Sequence, residues 1–278
     1  MQALIFDIQR GSFVDGEGVR TTVFFKGCNL KCAWCHNPEG MSREKQLLYY
    51  RSRCNSCGKC KEICSKNEKE CDLCGKCAIL CPFDAKEICG KEYGYEELLE
   101  IIERDCDLYN QTHGGVTFSG GECMLQIDFL EKILRACKEK GINTAVDTAG
   151  NVPKEYFLRI LPFVDTFLYD VKCVNEALHK RFTGVSNRLI LENLEFICSQ
   201  NVGVVVRVPV VDGFNANDGE MEAIFKLLKK NGVHRVELLP YHSLGEHKYE
   251  GCGLTPVSFT APEKSQMEKY NKMLGDIL

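Results

Sequence analysis

Residues 28–35 read Cys28-Asn29-Leu30-Lys31-Cys32-Ala33-Trp34-Cys35, three cysteines separated by three residues and then by two. A [4Fe–4S] cluster that only stores or passes electrons takes four thiolates. Three closely spaced thiolates with no local fourth leave one iron open, and an open coordination position separates catalytic metal sites from structural ones. The bland alternative is three buried or zinc-bound cysteines. The partners supplied by the rest of the chain weigh against it.

The three-cysteine spacing resembles the signature of radical S-adenosylmethionine (SAM) enzymes, which implies SAM chelated to the open iron through its amino and carboxylate groups. At 278 residues and 31.4 kDa the chain has room for one large α/β domain and a small insert. Apolar residues make up 44% of it, ample for a packed core. A net charge of −4 and a pI near 5.9 lack the basic footprint of a nucleic-acid binder. The N-terminus shows no basic segment followed by a long apolar run, and the longest apolar stretch, 202–211, is broken by Arg207 and Pro209. The expectation is a soluble, cytoplasmic protein without membrane contact. Eighteen cysteines in a long chain with no export signal read as metal ligands rather than disulfides. So many thiolate clusters imply an anaerobic or strongly reducing cytosol.

Cys54, Cys57, Cys60 and Cys64 follow a Cys-x2-Cys-x2-Cys-x3-Cys pattern. The same spacing recurs 17 residues on, at Cys71, Cys74, Cys77 and Cys81, ahead of Pro82. This internal repeat resembles bacterial two-cluster ferredoxins, where the fourth cysteine of each run ligates the other cluster. The resemblance implies one [4Fe–4S] cluster on Cys54, Cys57, Cys60 and Cys81, and another on Cys71, Cys74, Cys77 and Cys64. Two zinc knuckles are the alternative, disfavoured by the spacing and by Pro82. The first run departs from the pattern with Ser65 in place of proline. A ferredoxin-like insert is therefore expected at 46–89, within a larger domain formed by 1–45 and 90–278.

Outside the insert, apolar and β-branched runs predict strands at 19–26, 116–119, 143–147, 164–171, 202–208 and 235–240. Helical patterns fall at 95–108, 128–140, 154–160, 189–199 and 220–230. Alternating strands and helices imply a parallel sheet with right-handed crossovers. Six units give an α/β fold with a partial (β/α)6 barrel, which is also the core fold implied by the radical SAM resemblance. Barrel chemistry sits at the C-terminal ends of the strands.

The remaining motifs fall on that rim. The cysteine loop follows the first strand and Gly120-Gly121-Glu122 the second. Asp147-Thr148 ends the third, Asp170-Val171-Lys172 the fourth, Arg207 the fifth, and Tyr241-His242 follows the sixth. Paired glycines let backbone approach a ligand closely, so the SAM amino group would find carbonyl oxygens or the Glu122 carboxylate there. Asp147 and Asp170 would receive ribose hydroxyls or hold a cation, Lys172 would pair with the SAM carboxylate, and His242 would contact adenosine. Each alone reads as a solvated loop residue, and Gly-Gly-Glu alone as an ordinary strand-to-helix turn.

Taken together, the chain resembles a glycyl radical enzyme activating enzyme over nearly its whole length. The carriers are Asp15-Gly16-Glu17-Gly18-Val19-Arg20, residues 27–38 and 114–122, Asp147-Thr148-Ala149-Gly150, Asp170-Val171-Lys172 and Leu238-Leu239-Pro240-Tyr241-His242. The resemblance implies SAM contacts at Trp34, Cys35, His36, Gly121, Asp170, Val171, Lys172 and His242, with Gly120, Glu122, Asp147 and Arg207 as further cofactor-site candidates. It implies a monovalent cation on Asp147, Thr148 and Asp170, and Asp15 and Gly16 beside the incoming glycine loop of a partner. Glu17 and Cys123 stand where the family usually has proline.

The implied reaction is reductive cleavage of SAM to a 5′-deoxyadenosyl radical, which takes hydrogen from one glycine Cα of a partner glycyl radical enzyme. It would use three [4Fe–4S] clusters in all and a flavodoxin or ferredoxin-type donor, in a monomer that binds no nucleic acid. The general likeness leans toward a hydroxyproline dehydratase as partner. The rivals are a radical SAM enzyme acting on a small molecule or RNA, and a pure electron-transfer iron–sulfur protein.

Overall fold

The computed structural model describes residues 1–64, 66 and 70–278, so Ser65 lies outside the described residues. The strands are β1 (Gln2–Ser12), β2 (Arg20–Phe25), β3 (Gln46–Tyr49), β4 (Lys86–Cys89), β5 (Lys91–Gly94), β6 (Gly115–Gly120), β7 (Asn143–Thr148), β8 (Thr166–Asp170), β9 (Gly203–Val210) and β10 (Val236–Pro240). The run Arg20–Phe25 is buried along its whole length, as a strand covered on both faces must be. Eight strands form one sheet in the order β10-β9-β8-β7-β6-β2-β1-β5. The six from β2 to β10 are parallel. They are the six expected strands, shifted by one or two residues at their ends. The sheet stays open between β5 and β10, which makes the barrel partial.

Two antiparallel strands, β1 and β5, lengthen the sheet beyond β2 and are not among the expected elements. The helix expected at 95–108 is two helices, Tyr95–Glu103 and Cys106–Thr112. Asp105 sits at the break, its carboxylate taken by Arg10 Nε at 2.8 Å and Thr21 Oγ1 at 2.7 Å. Two further helices, Glu176–Thr183 and Lys264–Ile277, complete the outer layer.

Alternation along the parallel strands separates two environments. Phe118, Val146, Phe167, Tyr169, Val206 and Val208 face the helices and join the main apolar core. That core includes Phe129, Leu130, Ile133 and Leu134 of the helix Ile127–Glu139. Ser119, Asp147, Asp170 and Arg207 point the other way and line a cavity on the inner side of the sheet.

In the 46–89 segment, β3 and β4 pair antiparallel, with Gln46 opposite Cys89 and Tyr49 opposite Lys86. Between them the sequence repeat is also a conformational repeat. Ser56 and Leu73, 17 residues apart, both have positive φ (63° and 56°). Gly58 and Gly75 follow at 79° and 74° and open the short helices Lys59–Ile63 and Lys76–Ile79. No helix in the described residues is long and apolar enough to cross a membrane.

Candidate active site

The cysteine loop leaves β2 and is held at three points. Gly27 and Cys28 donate backbone bonds to Gly40 O and Met41 O at 2.7 and 3.1 Å. Lys31 and Ala33 donate to Thr183 O and Phe182 O at 2.8 and 2.9 Å. The paired glycines ending β6 close the third side. Gly121 N–H donates to Phe25 O and Glu122 N–H to Gly27 O, each at 2.8 Å. A Cβ on Gly121 would lie 2.3 Å from Gly27 O and 2.6 Å from Gly40 O. Gly120, at φ +119°, would bring one within 2.3 Å of Phe25 N and O. The glycines are thus required by backbone packing against the cysteine loop as well as by their place on the cavity wall.

Cys28, Cys32 and Cys35 all line one cavity of about 570 Å3, within the range of cofactor sites. Burial pushes the Cys28 thiol up to about 12, with Lys172 acting in the opposite direction. Burial raises Cys32 and Cys35 as well. Three such thiols would have to lose their protons to bind a metal. The donor set fits an iron–sulfur cluster with one open iron.

The same cavity gathers most of the expected cofactor residues: Trp34, His36, Gly120, Gly121, Asp147, Thr148, Asp170, Lys172, Arg207 and His242, with Asp15 also on its wall. Lys172 Nζ donates to Asp170 Oδ2 at 2.6 Å, its side chain 9% exposed. Burial works to lower the Lys172 pKa, but Asp170 and Cys32 overcome it and leave it raised. Asn215 braces this turn, donating to Lys172 O and Pro209 O at 2.8 and 2.6 Å. Asp147 accepts from Ser119 Oγ at 2.7 Å and lies 3.7 Å from Arg207 Nη1. Burial raises Asp147 to about 6 despite that guanidinium. Arg207, mid-strand in β9 rather than at its end, also donates to Glu237 Oε2 at 3.1 Å and Val14 O at 2.6 Å. The His36 and His242 rings stack at 4.1 Å, and Trp34 packs 4.3 Å from Phe214.

Three expected residues stand apart from the cavity wall. Glu122 is 1% exposed and turned into the protein. Its carboxylate accepts from Thr148 Oγ1 at 2.9 Å, Ala149 N at 3.1 Å and Met124 N at 3.3 Å. It caps the turn Cys123–Gln126 and ties β6 to β7 instead of facing a ligand. Val171 is fully buried in the core, and its N–H donates to Arg207 O at 2.9 Å. Gly16, at φ +122°, packs on the Arg20 side chain. Asp15 beside it is held by Ser12 Oγ and Thr22 Oγ1 at 2.6 and 2.8 Å. Sequence reasoning passed over Asn215, which carries no motif signal.

A second cavity, of about 750 Å3, is lined by Cys54, Cys57, Cys60, Cys71 and Cys81. The first three and Cys81 are the set the ferredoxin resemblance assigns to one cluster. Cys64, Cys74 and Cys77 do not line it.

The family model described as the Radical SAM superfamily matches residues 22–228. The trans-4-hydroxy-L-proline dehydratase activating enzyme of Clostridioides difficile is 42% identical over 265 residues, covering 90% of this chain and 88% of that protein. The choline trimethylamine-lyase activating enzyme of Oleidesulfovibrio alaskensis is 40% identical over 271 residues, covering 91% and 87%. The chain belongs to the radical SAM superfamily, among the glycyl radical enzyme activating enzymes. Among solved structures of the superfamily, a domain of the pyruvate-formate lyase-activating enzyme from Bacteroides vulgatus superposes with a TM-score of 0.51. It is 29% identical and covers 59% of this chain and 94% of that one. SuiB of Streptococcus suis bound to SAM shares the radical SAM fold at 15% identity and a TM-score of 0.57, covering 90% of this chain and 44% of that one.

Proposed function

We propose that the 570 Å3 cavity is the SAM site of the activating reaction, with Cys28, Cys32 and Cys35 holding the [4Fe–4S] cluster. One observation carries this reading: the three thiols share that cavity with Ser119 of β6, Asp147 of β7, Asp170 of β8 and Arg207 of β9. Held there by Cys28, Cys32 and Cys35, a reduced cluster would supply the electron for reductive cleavage of SAM, the source of the radical that would take hydrogen from a glycine Cα of the partner. The chain's own residues bind and orient. Lys172 offers a buried cation to the SAM carboxylate, and Asp170 holds it in place. The stacked His36–His242 pair and Trp34 give the wall flat faces for adenosine. Val211, Leu239 and Tyr241 on the wall keep water from the radical. Asp15, also on the cavity wall, would lie beside a partner's incoming glycine loop.

The 46–89 segment, in the same proposal, is a ferredoxin-like insert carrying two further [4Fe–4S] clusters that pass electrons from a flavodoxin or ferredoxin-type donor. Its support is the conformational repeat around Cys57 and Cys74 and the convergence of Cys54, Cys57, Cys60 and Cys81 on one cavity. A monovalent cation on Asp147, Thr148 and Asp170 would share the Asp170 carboxylate with Lys172, whose ammonium holds Oδ2. The chain is proposed to act as a cytoplasmic monomer.

The partner proposed is a trans-4-hydroxy-L-proline dehydratase, on the 42% identity to that enzyme's activase. The test is electron paramagnetic resonance (EPR) of the reduced, reconstituted chain with SAM and, in turn, that dehydratase, a choline trimethylamine-lyase and a 4-hydroxyphenylacetate decarboxylase. A glycyl radical forming fastest on the dehydratase is expected. A radical on another partner alone would overturn the partner assignment, and none on any would overturn the activating reading.

A further inference from the structure

Behind the cavity wall lies a small apolar cluster, separate from the main core. Trp34, Cys173, Val211, Phe214 and Tyr241 form it. Trp34, Val211 and Tyr241 belong to this cluster and to the cavity wall at once, so what packs behind them sets the shape of the wall. The Tyr241 hydroxyl is tethered, donating to Glu246 Oε1 at 2.6 Å. Trp34 makes no side-chain hydrogen bond among the described residues, and packing alone fixes its ring.

Part of that packing comes from outside the barrel. Residues 255–262 lead into the helix Lys264–Ile277 without regular secondary structure. They make no hydrogen bond among the described residues. Their hold is apolar: Pro262 is buried, and Phe259 inserts into the cluster while Val257 stays exposed. The Phe259 ring stands 6.2 Å from Trp34 at 88°, 5.9 Å from Tyr241 at 68° and 6.1 Å from Phe182. Edge-to-face pairs at these distances attract beyond the area they bury. Phe214 meets Trp34 at 32°, so two rings in different planes restrain the indole from two directions.

We propose that Phe259 is a positioning residue for SAM, holding Trp34 and Tyr241 from behind so that their cavity sides stay in place for the adenosine group. This rests on the reading of the cavity as the SAM site. Without the Phe259 ring, space opens behind the wall into which both side chains can move, and close packing is what holds a side chain in one rotamer. A segment without hydrogen bonds is also the kind that opens locally, so losing its aromatic anchor admits water to the back of the indole.

The test compares full-length, anaerobically reconstituted wild type, Phe259→Ala and Phe259→Tyr. SAM affinity is read from the change SAM causes in the EPR signal of the reduced protein, and cleavage from 5′-deoxyadenosine release. Trp34 is the chain's single tryptophan, so fluorescence emission reports on this wall alone. Expected for Phe259→Ala are a SAM Kd and KM about 3- to 10-fold higher, an unchanged kcat, and emission shifted to the red as water reaches the indole. Phe259→Tyr, which keeps the ring, should match wild type. Should Phe259→Ala not assemble, Phe259→Leu is expected to show the same changes at smaller size. Wild-type affinity and emission in the variant, or a fall in kcat at unchanged Kd, overturns the role of Phe259 alone. A wild type that neither binds nor cleaves SAM overturns the SAM-site reading and this proposal with it.

Discussion

Gly121→Ala is the sharpest perturbation of the site that removes no ligand. The new methyl would sit 2.3 Å from Gly27 O, 2.6 Å from Gly40 O and 2.7 Å from Gly27 C. Ordinary carbon contacts lie at about 3.5 Å or more, so the gap must open by roughly 1 Å. All three atoms are backbone and cannot swing aside as a side-chain tip would. The movement must therefore come from the cysteine loop, stretching the bonds from Glu122 N–H to Gly27 O at 2.8 Å and Gly27 N–H to Gly40 O at 2.7 Å. Overpacking plus two weakened hydrogen bonds costs about 2–4 kcal/mol, or about 5–10 °C in Tm. The functional loss is larger, since a misplacement of about 1 Å can cost 100-fold in rate. The assay is 5′-deoxyadenosine release from SAM under reducing anaerobic conditions, beside iron content and thermal unfolding. Gly141→Ala is the control: its φ is +71° but no atom lies within 4 Å of the added Cβ. It carries only the left-handed penalty of about 1–2 kcal/mol and leaves cleavage unchanged. Wild-type stability and turnover in Gly121→Ala would refute the packing argument.

Other consequences follow from the charges and the cysteines. Burial first of all pushes Glu122 up to about 7 from its ordinary 4.5, against the lowering pull of its donors. Its folded value exceeds its unfolded one, so the associated stability is complete below pH 4.5 and lost as pH rises through 7. Relative to Glu122→Gln, which does not titrate, wild type should lose about 3 kcal/mol between pH 4.5 and 8 in denaturant unfolding; a constant difference would contradict this. Arg207→Ala strips the guanidinium from partly buried Asp147 and from Val14 O. It should cost about 1–3 kcal/mol, and an unchanged stability in the same assay would count against the pairing. Cys57→Ala and Cys74→Ala should each slow activation by a flavodoxin or ferredoxin-type donor while leaving the SAM-responsive EPR signal in place. Undiminished activation in both would end the relay role.

The parallel strands were legible because their burial demands apolar and β-branched runs, as in Val204–Val206 and Val116–Phe118. β1 escaped notice because its pattern is only half-buried, with Asp7, Gln9 and Arg10 exposed along it. β5, Lys-Glu-Tyr-Gly, is too short and too charged to read as a strand. The helix Lys264–Ile277 buries only Tyr270 and so carries little apolar periodicity. At the site, residue types and spacing pointed to Lys172, Asp147, Asp170 and His242, which the sheet brings to one cavity. Spacing could not tell that Glu122 turns inward, because that direction is set by Thr148 and Ala149, contributed by another strand.

The central claim is that Cys28, Cys32 and Cys35 hold a cluster that cleaves SAM. The direct measurement is 5′-deoxyadenosine formation by anaerobically reduced wild type and by Cys32→Ala, with iron counted in both. The account predicts formation by wild type and none by Cys32→Ala, which would keep the iron of the 46–89 segment. Equal SAM cleavage by the two proteins, or none by a fully iron-loaded wild type, would contradict it.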